Sequence, residues 1–164
     1  MKLLTVLIVM IGLTGCFAKE RTTTGERVGT KMPVFSLLLS DSTTYLSTQH
    51  IPTGQPVIFF YFATYCPYCR AQLEEIIKDI NKFKDTHIYM LTNSPYSEVK
   101  DYIKEFKLDK YPNITMNLDY KNFFVDSFKV TGVPFMAVYN GDKKLQETFS
   151  GKVPVKDLLN NLGN

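Results

Sequence analysis

Apolar positions along the chain fall into blocks of two periods. Residues 57–63 are apolar or aromatic throughout, without alternation, which predicts a central strand buried on both faces. Pro67 then opens a helix, because proline suits a first helical position where its missing N–H would have had no partner. Leu73, Ile76, Ile77, Ile80 and Phe83 follow at helical spacing, with Glu74, Glu75, Lys78 and Asp79 between them. Residues 87–91 predict a further strand. Residues 97–106 predict a second amphipathic helix, with Val99, Tyr102, Ile103 and Phe106 on one face. A short strand over 114–118 and a helix over 121–128 come next. Strands over 135–139 and 144–149 flank an Asn140-Gly141 turn, and a helix over 155–162 closes the chain. Upstream, 34–39 and 43–46 predict two strands around the Asp41-Ser42 turn. This order predicts an α/β domain whose sheet carries helices on both faces.

The first residues follow neither period. Lys2 precedes residues 3–13, apolar except for Thr5 and Gly12. A helix over that stretch spans about 16 Å, against a bilayer core of about 30 Å, so a secretory signal fits better than a transmembrane helix. Leu13-Thr14-Gly15-Cys16 resembles the bacterial lipobox. That resemblance implies a signal peptide over 1–15 and a lipidated Cys16 as the new N-terminus, anchoring the protein to a membrane. Residues 16–30 are polar and read as a tether, leaving 31–164 as the folded domain.

Composition narrows the function. The 164 residues suit one domain, and 45% hydrophobic with 21% charged residues is ordinary for a globular fold. The net charge of +3 comes from interspersed Lys, Arg, Asp and Glu, so nothing points to nucleic acid as a partner. Of three cysteines, Cys16 goes to the lipid, and Cys66 and Cys69 remain as a pair.

Cys66-Pro67-Tyr68-Cys69 lies where the buried strand gives way to a helix. Unpaired N–H groups and partial positive charge at a helix start stabilise a thiolate, the attacking species in disulfide exchange. Cys69, one turn on, is about 5–6 Å away, within reach of a disulfide. Cys66 can therefore attack a substrate disulfide, and Cys69 can resolve the mixed disulfide. Other readings compete. A zinc site needs two more ligands, and His50 and His87 are isolated in sequence. A purely structural disulfide is open to a secreted protein. A peroxiredoxin motif places Thr three residues before its reactive Cys, where this chain has Ala63.

The segment Phe62-Ala63-Thr64-Tyr65-Cys66-Pro67-Tyr68-Cys69-Arg70 resembles the redox motif of the thioredoxin superfamily, nearest to the TlpA/ResA-like proteins of bacterial envelopes, and its Pro-Tyr dipeptide is typical of glutaredoxins. Gly132-Val133-Pro134 matches a second element, a cis-proline beside the CxxC. The resemblance spans about residues 30–162. It implies a thioredoxin fold, a central mixed sheet with helices on both faces, with an extra helix–strand insertion between CxxC and cis-proline. It further implies Cys66 as nucleophile, Cys69 as resolving thiol, Tyr65, Pro67 and Tyr68 as tuning residues, and Val133 and Pro134 as the substrate-binding edge. No metal or dissociable cofactor is implied. The implied partners are protein disulfide substrates and a membrane or envelope thiol electron donor, with the protein lipid-anchored in a bacterial cell envelope. Phe17 after the lipidated Cys resembles outer-membrane sorting in a diderm host.

Two positions depart from the pattern. Thioredoxins carry Asp six residues before the first Cys, where this chain has Phe60; the TlpA/ResA branch often carries Glu three residues after the second, where this chain has Gln72. Neither is a base, so slower deprotonation of Cys69 is expected. Tyr65 replaces the usual Trp and is expected to keep an aromatic cover over the site. Two other roles stay open: a partner-binding lipoprotein with secondary redox activity, and a disulfide-donating oxidase or isomerase.

Overall fold

The computed structural model describes residues 27–163. The 1–15 leader, Cys16 and most of the 16–30 segment lie outside the described residues. Residues 27–30, assigned to the tether by composition, pack on the domain: Gly29 N–H donates to the Leu145 carbonyl (2.7 Å), and Lys31 bridges Lys144. They cover the edge of the sheet's last strand, which satisfies backbone groups that would otherwise be bare.

Among the described residues seven strands form one sheet: β1 (Ser36–Leu39), β2 (Tyr45–Ser47), β3 (Val57–Tyr61), β4 (His87–Thr92), β5 (Ile114–Leu118), β6 (Phe135–Tyr139) and β7 (Leu145–Ser150). Their order is β2-β1-β5-β4-β3-β6-β7. The β3–β4 and β4–β5 pairs are parallel and the remaining pairs antiparallel. The helices are α1 (Pro67–Lys78), α2 (Tyr96–Phe106), α3 (Phe123–Phe128) and α4 (Val155–Asn160).

The unbroken apolar run of β3 serves two cores, because successive side chains point to opposite faces. Ile58 and Phe60 meet Leu73 and Ile76 of α1, Val99 and Tyr102 of α2, and Leu158 of α4. Val57, Phe59 and Tyr61 meet Phe124 of α3 and Phe35 and Leu37. Helices thus lie on both faces of a mixed sheet, the thioredoxin fold expected above. Between Cys69 and Val133 the chain inserts the helix–strand pair α2 and β5.

Local physics moved several boundaries. The apolar period through Phe83 does not continue as α-helix: α1 stops at Lys78, and Ile80–Phe83 forms a 3-10 turn that still buries Phe83. Helix α3 begins at Phe123, where the Asp119 carboxylate accepts the Phe123 and Phe124 N–H groups (2.9 Å each). Helix α2 ends where Lys107 turns left-handed at φ 52°.

Candidate active site

Strand β3 runs out at Tyr61, and Phe62 to Tyr65 carry the chain over to α1. Cys66 caps α1: its Sγ accepts the Cys69 backbone N–H at 3.3 Å. Pro67 follows at the first helical position, as the sequence predicts. Cys66 Sγ lies 3.7 Å from the Val133 carbonyl oxygen, across the loop that ends in the cis Val133–Pro134 peptide. The structure therefore brings Cys66, Pro67, Cys69, Val133 and Pro134 together. Both thiols are free. Cys66 is 6% exposed and Cys69 fully buried, so the two sulfurs differ in access. Burial first, and the hydrogen bond with Cys66 second, push the Cys69 thiol up to about 12.

Tyr65 is not a cover. It is 83% exposed, and Tyr68 is exposed too. Tyr65 instead stands between two open grooves. One, of about 430 Å³, is lined by Tyr61, Asn93, Asn122, Asp126 and Val133. The other, of about 350 Å³, lies against α2 and is lined by Thr64, Arg70, Glu98, Asp101 and Glu105.

The expected gap in acid–base groups is present in space. Phe60 belongs to the same core cluster as both cysteines. Gln72 is fully buried one turn along α1, its Oε1 accepting the Val153 N–H at 2.8 Å. Glu74 is exposed, and Glu75 pairs with Lys152 (2.5 Å).

Sequence reasoning missed the ties that hold this loop. Thr64 places both its N–H and its hydroxyl 3.3 Å from Ser94 Oγ, which also receives the Thr92 hydroxyl at 3.0 Å. The Thr64 hydroxyl also donates to the Glu98 carboxylate, and Arg70 pairs with Glu105. Helix α2 thus braces the first turn of α1 from the side. A cluster of hydroxyl residues just after an apolar strand was the available signal, but it does not say which loop it meets.

A sequence family described as Redoxin matches residues 27–162. An uncharacterised protein of Haemophilus influenzae is 31% identical over 110 residues, covering 64% of this chain and 70% of the relative. Three solved structures share the fold. The exposed lipoprotein thioredoxin of Streptococcus pneumoniae superposes with a TM-score of 0.64 at 20% identity, over 79% of this chain and 98% of its own. StoA of Bacillus subtilis gives 0.60 at 18% identity, over 78% and 95%. A secreted disulfide oxidoreductase of Mycobacterium tuberculosis gives 0.64 at 12% identity, over 78% and 93%.

Proposed function

The chain belongs to the Redoxin family and is a thioredoxin-like thiol–disulfide oxidoreductase, and from that premise we propose that Cys66 and Cys69 are its redox pair, reducing disulfides of proteins outside the cytoplasm. The observation that carries this reading is the placement of Cys66 Sγ at a helix cap, 3.7 Å from the Val133 carbonyl, with Cys69 buried one turn behind.

The steps follow from access. The Cys66 thiolate attacks one sulfur of a substrate disulfide; the S–S bond breaks and the other substrate sulfur leaves. Cys69 then attacks Cys66 Sγ, a Cys66–Cys69 disulfide forms, and the second substrate sulfur leaves. Two electrons and two protons pass from the protein dithiol to the substrate, which ends as a dithiol. Regenerating the pair takes a membrane or envelope thiol donor. Val133 and Pro134 border the attacking sulfur, so an extended substrate segment can dock along their backbone. Pro67 leaves the first helical position without a competing N–H, and Tyr65 and Tyr68 offer exposed rings next to Cys66 and Cys69 in the chain.

For location, we propose a signal peptide over 1–15 and lipidation of Cys16. The support is the apolar leader ending in Leu13-Thr14-Gly15-Cys16, and a fold neighbour that is itself an exposed lipoprotein. Several acyl chains, at about 0.8 kcal/mol per buried methylene, would anchor the domain firmly. Phe17 after Cys16 favours the outer membrane in a diderm host.

Reduction potential measured by thiol trapping in redox buffers tests the direction. A value at or below about −230 mV supports a reductase, whereas one near −120 mV marks a disulfide donor and overturns the direction proposed. The mass of the mature N-terminus tests the anchor: acylated Cys16 is expected, and an unmodified leader contradicts it.

A further inference from the structure

Among the described residues, four buried side-chain polar atoms have no hydrogen-bond partner: Gln72 Nε2, Tyr102 Oη, Asn117 Oδ1 and Thr148 Oγ1. Buried polar groups in folded proteins are nearly always paired, so each such atom calls for a reason. The first belongs to α1 itself and the second to a side chain in one core cluster with Cys69. Gln72 lies three residues after Cys69 on the same buried face of the helix. Tyr102 comes from α2 and is 2% exposed, in one core cluster with Cys66, Cys69 and Phe62. Its ring lies 4.9 Å from that of Phe62, and the Arg70 guanidinium, next in sequence to Cys69, sits 5.6 Å from its centroid.

Both unpaired groups can donate a hydrogen bond. What they face differs between the resting protein and the reaction. At rest Cys69 is a neutral thiol and asks little of its surroundings. In the resolving step its sulfur becomes a buried anion, which needs donors. No buried carboxylate is available as a base on this face. Asp119 is the only buried carboxylate among the described residues, and its oxygens are taken by the N–H groups of α3 on the opposite face.

We propose that the Tyr102 hydroxyl and the Gln72 amide receive the Cys69 sulfur as it ionises, so that hydrogen bonding rather than a carboxylate base assists resolution of the mixed disulfide. This rests on the Cys66/Cys69 reading above. The Cys69 proton goes to the departing substrate sulfur, which ends as a thiol; Tyr102 and Gln72 keep their own protons. Burial first, and the nearby Cys69 charge second, hold the Tyr102 hydroxyl well above the usual tyrosine range, so it stays a donor at every working pH. The other charged or titratable groups around this end of α1 are Cys66, Tyr65, Tyr68, Arg70, Glu74 and Glu75, with Glu98, Asp101 and Glu105 on α2 and Lys152 ahead of α4. Glu74, Glu98 and Asp101 are exposed, on the solvent side of the buried Cys69, and Glu98 accepts the Thr64 hydroxyl. Arg70 pairs with Glu105 and Glu75 with Lys152, so neither carboxylate is free to take the proton.

The test is single-turnover reduction of oxidised glutathione by the whole chain, acid-quenched and read by mass spectrometry from pH 6 to 10. The protein, Tyr102→Phe and Gln72→Met are compared. Formation of the Cys66–glutathione mixed disulfide is expected to be unchanged in both variants. Its resolution is expected to slow by about tenfold or more in Tyr102→Phe at every pH in that range, the scale of one charge-assisted hydrogen bond, the rising pH–rate line moving about one unit to the alkaline side because the Cys69 thiol titrates above the range. Gln72→Met is expected to move both in the same direction. Melting temperature is expected to hold in Tyr102→Phe, because the hydroxyl has no partner in the dithiol form. A normal resolution rate and pH profile in either variant overturns the assignment of that donor. Failure of the unaltered protein to form a Cys66–Cys69 disulfide overturns the dithiol reading itself, a separate outcome.

Discussion

Replacing Cys66 with serine leaves Cys69 at the buried end of the site, and the structure sets how slowly it should alkylate. With both cysteines present the Cys69 thiol is pushed up to about 12, by burial first and the Cys66 hydrogen bond second. The serine variant keeps the burial and loses the Cys66 thiol, so that value is a ceiling. At the ceiling Cys69 is thiolate at pH 8 in about one molecule in 10,000, whereas an ordinary cysteine near 8.5 is ionised in about a quarter. Ionisation alone therefore slows the reaction by about 2,000-fold. The more basic thiolate is the better nucleophile, and a Brønsted slope of about 0.45 over about 3.5 pH units recovers about 40-fold. The net deficit is about 60-fold, and a fully buried sulfur adds a barrier to the reagent itself. Iodoacetamide labelling of Cys66→Ser, folded and in urea, read by peptide mapping at Cys69, measures the ratio. The folded rate should be lower than the unfolded one by more than about tenfold, with ionisation supplying up to about 60-fold and burial of the sulfur adding to it. A ratio under about fivefold would refute the claim that burial keeps this thiol protonated.

Three further outcomes follow from the same geometry. Folding raises the Cys69 pKa from 9.0 to about 12, so between these values the unfolded chain releases a proton that the folded one keeps. Its contribution is fully present below pH 9 and lost as pH rises to about 12. Urea titrations of the reduced protein should show that decline, and Cys69→Ala should make it shallower; parallel curves would contradict the shift, since the buried tyrosines Tyr61, Tyr89, Tyr102 and Tyr139, also raised, contribute the same remaining slope to both proteins. Phe124 is fully buried and packs on the Phe35, Phe59, Tyr61, Phe128 and Phe135 rings, so Phe124→Ala should cost about 3–5 kcal/mol in urea unfolding; a loss under about 1.5 kcal/mol would mean α3 is not held by that contact. Gln72→Glu keeps an acceptor for the Val153 N–H and adds a carboxylate one turn from Cys69; the resolving step should then extend to lower pH, and an unchanged pH–rate profile would sink the expectation that a missing base slows Cys69.

Much of this site is legible in sequence because it is local. Pro67 fixes where α1 starts, Cys66 becomes its cap, and the uninterrupted run ahead of it becomes a strand buried on both sides. Boundaries set by contacts from elsewhere were not legible. The helix expected from residue 121 starts at Phe123 because Asp119 collects two N–H groups there, which a propensity pattern does not reveal. Tyr102 reads as one more apolar-face residue of an amphipathic helix. Only the packing of α2 on α1 shows that its hydroxyl is buried, unpaired and close to the redox pair. Tyr65 looks like a lid by position in the motif, but it stands in solvent between two grooves.

The central claim is that Cys66 attacks and Cys69 resolves, and it is tested most directly by trapping. Cys69→Ser is mixed with a disulfide-bonded peptide, quenched with acid, and mapped by mass spectrometry. The account predicts a single mixed disulfide on Cys66 that persists for want of a resolving thiol, while Cys66→Ser under the same conditions gives none on Cys69. An adduct on Cys69, or none on Cys66, would contradict it.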